Sequence, residues 1–159
     1  MAKEELFRST MVRAIVQGYG AFRVRRGQLD RVALRQALAE LQNGGVLGMF
    51  PEGQRSPNAQ LQSPQPGASL LAARSGVPLL PVGISGSERV KGIGFILHRP
   101  QITVTIGRPF LLPSAGDKLT RSRLAQYSDS IMEHIAELLP ESYRGIYDLR
   151  GSLRSGNGD

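Results

Sequence analysis

Residues 46–50 read Val-Leu-Gly-Met-Phe and are followed at once by Pro51-Glu52-Gly53-Gln54-Arg55. A run with no polar interruption suits a strand covered on both faces, as in a buried parallel sheet. Residues 77–84, VPLLPVGI, form a second such run, whose prolines place it at a strand start or an edge. Buried strands need helices over them. The chain supplies helical spacing at 29–42, where Leu34, Ala37, Leu38 and Leu41 share a face, and at 117–139, where Leu124, Tyr127, Ile131, Ile135 and Leu138 do.

Shorter signals fill the rest. Helices are expected over 3–17 and 67–75, the first stopped by Gly18-Tyr19-Gly20 and the second by Gly76. Asn43-Gly44-Gly45 closes the 29–42 helix and Pro140 the last one. Strands are expected at 21–24 and 101–107, a proline-rich loop at 57–66, a polar loop at 86–94 and a disordered tail at 151–159. The fold class is α/β: a single domain over 1–150 with a mostly parallel central sheet flanked by helices.

Composition narrows the chemistry. Cysteine is absent, so disulfide and thiolate-metal sites are closed; with only His98 and His134 available a histidine-rich metal site is disfavoured, and no cofactor is called for. The net charge of +7 points to an anionic partner or simply to solubility. Residues 1–35 carry eight basic side chains against three acids, so +5 of that charge sits in the first quarter. No apolar run reaches the ~18–20 residues of a bilayer span. A nucleic-acid module is disfavoured, since aromatics are 6% and no zinc-finger, RNP-like or helix-turn-helix signature is present.

The carboxyl end of a buried strand is where open α/β sheets place their ligands. Pro51 ends ladder pairing without leaving an orphan N–H, Gly53 permits a sharp turn, and Arg55 offers a planar fork suited to phosphate oxygens. Glu52 can orient that arginine. Read alone, the stretch is equally a solvent-exposed turn with a surface Glu–Arg pair. In Gly20-Ala21-Phe22-Arg23-Val24-Arg25-Arg26, the last arginine falls at a strand end, where Arg26 and Arg55 could share one anion. Alone, that segment reads better as a basic edge that discourages aggregation.

Together, in this order, these blocks resemble the 1-acyl-sn-glycerol-3-phosphate acyltransferases. Gly20 through Arg26 fits the family's Gly-x5-Arg block, and Phe50-Pro51-Glu52-Gly53-Gln54-Arg55 fits Phe-Pro-Glu-Gly-Thr-Arg with Gln54 at the threonine. Val77-Pro78-Leu79-Leu80-Pro81-Val82 fits the Val-Pro-x-x-Pro-Val block. The start AKEELF, Pro66-Gly67-Ala68 and Tyr143-Arg144-Gly145-Ile146-Tyr147 also look like bacterial members. The resemblance covers residues 2–148. It implies acyl transfer from acyl-CoA or acyl-carrier protein to lysophosphatidate, giving phosphatidate. Gly20, Arg26, Glu52, Gly53 and Arg55 would hold the acceptor, at the cytoplasmic face of a cell membrane.

The family's His-x4-Asp dyad has no counterpart: five positions after His98 stands Thr103, and five after His134 stands Leu139. A general base of that kind contributes ~10²–10⁴-fold in rate. The chain therefore reads as the acceptor-binding portion, N-terminally incomplete, with no catalytic residue of its own. A start placed too late, a degraded fragment and a non-catalytic phospholipid-binding or interaction domain are the three explanations, in that order.

Overall fold

The computed structural model describes residues 2–3, 23–24, 30–90, 99–113 and 119–148. Asp30 opens helix α1 (Arg31–Gln42): its carboxylate accepts the Val32 and Ala33 N–H groups, two of the donors a helix start leaves unpaired. Asn43 caps the other end, and Gly44 follows at φ +79°, a left-handed turn out of the helix. Helix α2 (Pro66–Ser75) begins with proline in its first turn, where no N–H is missed, and ends on Gly76 at φ +65°. Helix α3 (Arg121–Ala136) is capped by Thr120, and a four-residue helix α4 (Glu141–Arg144) runs into a 3-10 turn (Gly145–Tyr147).

The helices pack in series, α1 on α2 and α2 on α3. Leu34, Ala37, Leu70 and Leu71 form one buried cluster between α1 and α2. Each leucine buried there contributes roughly 1.5–3 kcal/mol. A second cluster joins Leu61 to Met132, Ala136, Leu139 and Tyr147. Between α2 and α3 a buried hydroxyl pair bridges the helices: Ser128 Oγ donates to Ser69 Oγ at 2.8 Å, and Ser69 donates to the Pro66 carbonyl at 3.1 Å.

The sheet differs from the expected one. Strand β3 (Val82–Ser85) pairs antiparallel with β4 (Thr103–Ile106), with Val82 opposite Ile106 and Ile84 opposite Val104. The parallel pairing among the described residues joins β1 (Ala2–Lys3) to β2 (Arg23–Val24), two residues each. A mostly parallel central sheet is thus not what the described residues form. The 77–84 run enters its ladder only after Pro81, apart from a single antiparallel bridge from Leu79 to Phe110. Two prolines without donors keep residues 78–81 out of regular pairing.

Residues 46–50 are the larger correction. They belong to no strand. Their burial alternates: Leu47 and Met49 pack on the α1–α2 cluster, while Val46 is 97% and Phe50 78% exposed. The helices cover one side, and no described strand pairs with the segment or lies over the other. The 29–42, 67–75 and 101–107 elements stand within a few residues of expectation. Helix α3 spans 121–136 where a helix over 117–139 is expected: residues 117–118 lie outside the described residues, and at the other end turn bonds from Leu138 to Ile135 and from Leu139 to Ala136 replace the last helical ones. Lys3, expected to begin a helix, is in β1; the remainder of 3–17 and the 151–159 tail lie outside the described residues.

Among the described residues, no helix is long and apolar enough to cross a membrane. Nor do they hold a group of three or more His, Cys, Asp or Glu side chains arranged for a metal ion.

Candidate functional site

Residues 50–55 form a tight turn that the backbone itself closes. The Gly53 N–H donates to the Phe50 carbonyl at 3.0 Å, and the Gln65 N–H donates to the Pro51 carbonyl at 2.8 Å. Gly53 sits at φ +68°, and a Cβ there would lie 2.9 Å from Gln65 Cγ. Backbone conformation and the packed neighbour both favour glycine at this position.

Glu52 is half-buried and turned inward. Its Oε2 accepts the Gln62 backbone N–H at 2.9 Å. Burial pushes its carboxyl above the ordinary 4.5, and the Gln62 N–H partly offsets that rise. No ion pair joins it to Arg55, so the expected Glu–Arg orientation is replaced by a bond to the returning segment of the loop. The acid holds the turn's shape and leaves the arginine alone.

Arg55 is exposed and has no hydrogen-bond or ion-pair partner among the described residues. A guanidinium left unpaired at the rim of a fixed turn is available to an anion. Gly20 and Arg26, the other expected acceptor-binding residues, lie outside the described residues, as does His98. His134 is partly buried on α3 as expected. Its ring stacks on Phe110 with centroids 3.8 Å apart, and its Nδ1 lies 2.8 Å from the Ser130 carbonyl.

The loop beyond Arg55 is bound by a polar network absent from the sequence-level expectations. Asn58 Oδ1 accepts from Ser56 Oγ at 2.9 Å and from Gln62 Nε2 at 3.1 Å, and Asn58 Nδ2 donates to Gln60 Oε1 at 3.0 Å. Ala59 sits at φ +61°, a left-handed position inside this network. The network rests on the C-terminal turn: the Leu61 N–H donates to the Tyr143 carbonyl at 2.8 Å. Sequence reasoning noted Tyr143-Arg144-Gly145-Ile146-Tyr147 only as a family likeness; its contact with the loop is a structural finding. A groove of about 440 Å³ runs between loop and turn, lined by residues that include Asn58, Gln62, Glu141 and Asp148. Its carboxylates make it a poor seat for a phosphate, and Arg55 does not line it.

Comparison with known proteins places this geometry in context. The family profile described as Acyltransferase matches residues 1–85, a span that includes the whole 50–55 turn. A chloroplastic 1-acyl-sn-glycerol-3-phosphate acyltransferase of Arabidopsis thaliana is 32% identical over 109 residues, 65% of this chain and 30% of the plant protein. A 1-acyl-sn-glycerol-3-phosphate acyltransferase of Bacillus subtilis (strain 168) is 26% identical over 139 residues, 87% of this chain and 67% of that protein. Among solved structures, the 1-acyl-sn-glycerophosphate acyltransferase PlsC from Thermotoga maritima superposes with a TM-score of 0.59 at 26% identity. That superposition covers 86% of this chain and 54% of the other. The chain thus spans from under a third to about two thirds of the length of these relatives.

Proposed function

Because this chain belongs to the acyltransferase family, which includes the 1-acyl-sn-glycerol-3-phosphate acyltransferases, we propose that its 50–55 turn binds the phosphate of lysophosphatidate for acyl transfer. The observation that carries this reading is Arg55: exposed, without a partner among the described residues, and mounted on a turn whose acid is committed elsewhere.

In the reaction, the acceptor hydroxyl oxygen attacks the thioester carbonyl carbon of acyl-CoA or acyl-carrier protein. The new C–O bond forms, the C–S bond breaks, and the hydroxyl proton leaves with a base. The products are phosphatidate and the free thiol. Arg55 grips the acceptor phosphate, Gly53 lets the backbone approach it, and Glu52 keeps the turn in shape. By the family resemblance, Gly20 and Arg26 contribute to holding the same acceptor. The base is not assigned to either histidine, since neither lies in a His-x4-Asp pair.

The work takes place at an anionic lipid surface, on the cytoplasmic face of the cell membrane. The net charge of +7 favours such a surface. So does the open apolar face of the β3–β4 pair, where Ile84, Val104 and Ile106 are 40%, 56% and 65% exposed.

The missing His-x4-Asp pair favours a second reading, a non-catalytic phospholipid-binding domain. One assay separates the two. The full chain is mixed with acyl-CoA and lysophosphatidate micelles, and both lipid binding and coenzyme A release are followed. Binding with release supports the enzyme, binding without release supports the binder, and absence of binding contradicts both.

A further inference from the structure

We propose that the C-terminal turn at residues 143–147 is a positioning element for the 50–55 turn, so that the order of the phosphate-binding loop is set from more than eighty residues away. The inference rests on the reading of Arg55 as a phosphate ligand.

Two consecutive amides carry it. The Leu61 N–H donates to the Tyr143 carbonyl at 2.8 Å, and the next one, on Gln62, donates to Glu52 Oε2 at 2.9 Å. Residues 61–62 thus form a bar, tied at one amide to the C-terminal turn and at the next to the acidic residue of the phosphate loop. The Leu61 side chain anchors the bar in the cluster of Met132, Ala136, Leu139 and Tyr147. Backbone lies directly on backbone at the contact: a Cβ on Gly145 would sit 2.7 Å from the Leu61 carbonyl oxygen. Gly145 has φ +55° and ψ −124°, a conformation suited to glycine. Gln60 Nε2, which donates to the Ser142 carbonyl at 3.4 Å, adds a longer third tie.

A displacement of the C-terminal turn thus moves Leu61, releases the Gln62 amide from Glu52, and loosens the turn that carries Arg55. Tyr143, Gly145 and Tyr147 act through Leu61 and are positioning residues.

Gly145→Ala tests this in the full chain with two readouts: amide hydrogen exchange at Gln62 by NMR, and the Kd for lysophosphatidate in detergent micelles. Exchange at Gln62 is expected to quicken about tenfold, and the Kd to rise roughly 5- to 10-fold. Asp30→Ala, which removes the N-cap bonds to Val32 and Ala33 at the start of α1, lowers overall stability and is expected to leave both readouts near wild type. Should Gly145→Ala not fold, Tyr147→Leu loosens the packing on Leu61 and is expected to move both readouts the same way by less. Unchanged Gln62 exchange overturns the proposal. So does faster exchange with an unaltered Kd, provided Arg55→Ala raises that Kd. If Arg55→Ala leaves the Kd unchanged, the phosphate reading itself falls, and Gln62 exchange alone then decides whether the C-terminal turn holds the loop.

Discussion

Glu52 Oε2 accepts the backbone N–H of Gln62 at 2.9 Å, and by that bond an acidic side chain braces the loop it belongs to. Arg55, three residues on, is left facing solvent with its fork unused among the described residues. The division of labour between these two charged residues is the basis of the functional reading.

Removing the brace tests it. Glu52→Ala strips the Gln62 amide of its acceptor and is expected to lower stability by about 1–3 kcal/mol. Glu52→Gln keeps an acceptor oxygen and is expected to lose less. Urea denaturation of both variants at neutral pH provides the comparison. Equal losses would show that the bond contributes nothing.

Glu52 also has a pH signature. Its carboxyl is raised above 4.5, chiefly by burial, so the folded state holds its proton more tightly than the unfolded chain does. The associated stabilisation is complete below 4.5 and is lost as pH rises through the folded value. Measured against Glu52→Gln, which does not titrate there, the wild type should lose relative stability between acid and neutral pH. A difference that moves the other way would contradict the inward placement of this side chain.

Tyr143 predicts the opposite sign. The Glu88 carboxyl is held below 4.5 first by its own backbone N–H, then by the Tyr143 hydroxyl, which donates to it at 2.8 Å. A lowered carboxyl contributes stability above 4.5 that disappears as pH falls through the folded value. Tyr143→Phe removes part of that contribution. Its stability should fall less than that of the wild type between neutral pH and acid, as followed by thermal melts across that range. An identical acid response in the variant would show that the Tyr143–Glu88 bond has no influence.

How much of this was legible beforehand differs by element. Helices α1 and α2 announce themselves locally, through Leu34, Ala37, Leu38 and Leu41 on one face and glycines just past the ends. A helix satisfies its own backbone, so local signals suffice. Residues 46–50 carry no such information: an apolar run does not say what covers it, and Val46 and Phe50 are uncovered in the structure. The 77–84 run was legible as strand only in part: residues 82–84 pair, antiparallel and with Ile84 exposed rather than covered on both faces, and the prolines mark where that pairing begins. At the site, the Phe50-Pro51-Glu52-Gly53-Gln54-Arg55 block was readable as a turn, but the expected tie between Glu52 and Arg55 is absent. The partner of Glu52 was not readable, because a backbone amide has no sequence signature. The contact of Leu61 with Tyr143 was hidden by the length of chain between them. Gly20 and Arg26 lie outside the described residues, so their part in the site stands as proposed.

The buried serine pair gives an asymmetric prediction for the core. Ser128 donates to Ser69, while Ser69 donates to Pro66. Ser69→Ala leaves the Ser128 hydroxyl buried without its acceptor, at a cost of about 1–3 kcal/mol. Ser128→Ala leaves Ser69 still donating to its carbonyl and is expected to cost less. Equal losses in chemical denaturation would contradict this direction of donation.

The most direct measurement concerns the headgroup. Binding of lysophosphatidate and of monoacylglycerol, which lacks the phosphate, is compared in matched micelles for the wild type and Arg55→Ala. A charge-assisted contact contributes ~1.5–3 kcal/mol, so the wild type should prefer the phosphorylated lipid by roughly 10- to 100-fold, and Arg55→Ala should abolish most of that preference. A variant that still selects lysophosphatidate as strongly as the wild type would place the phosphate elsewhere.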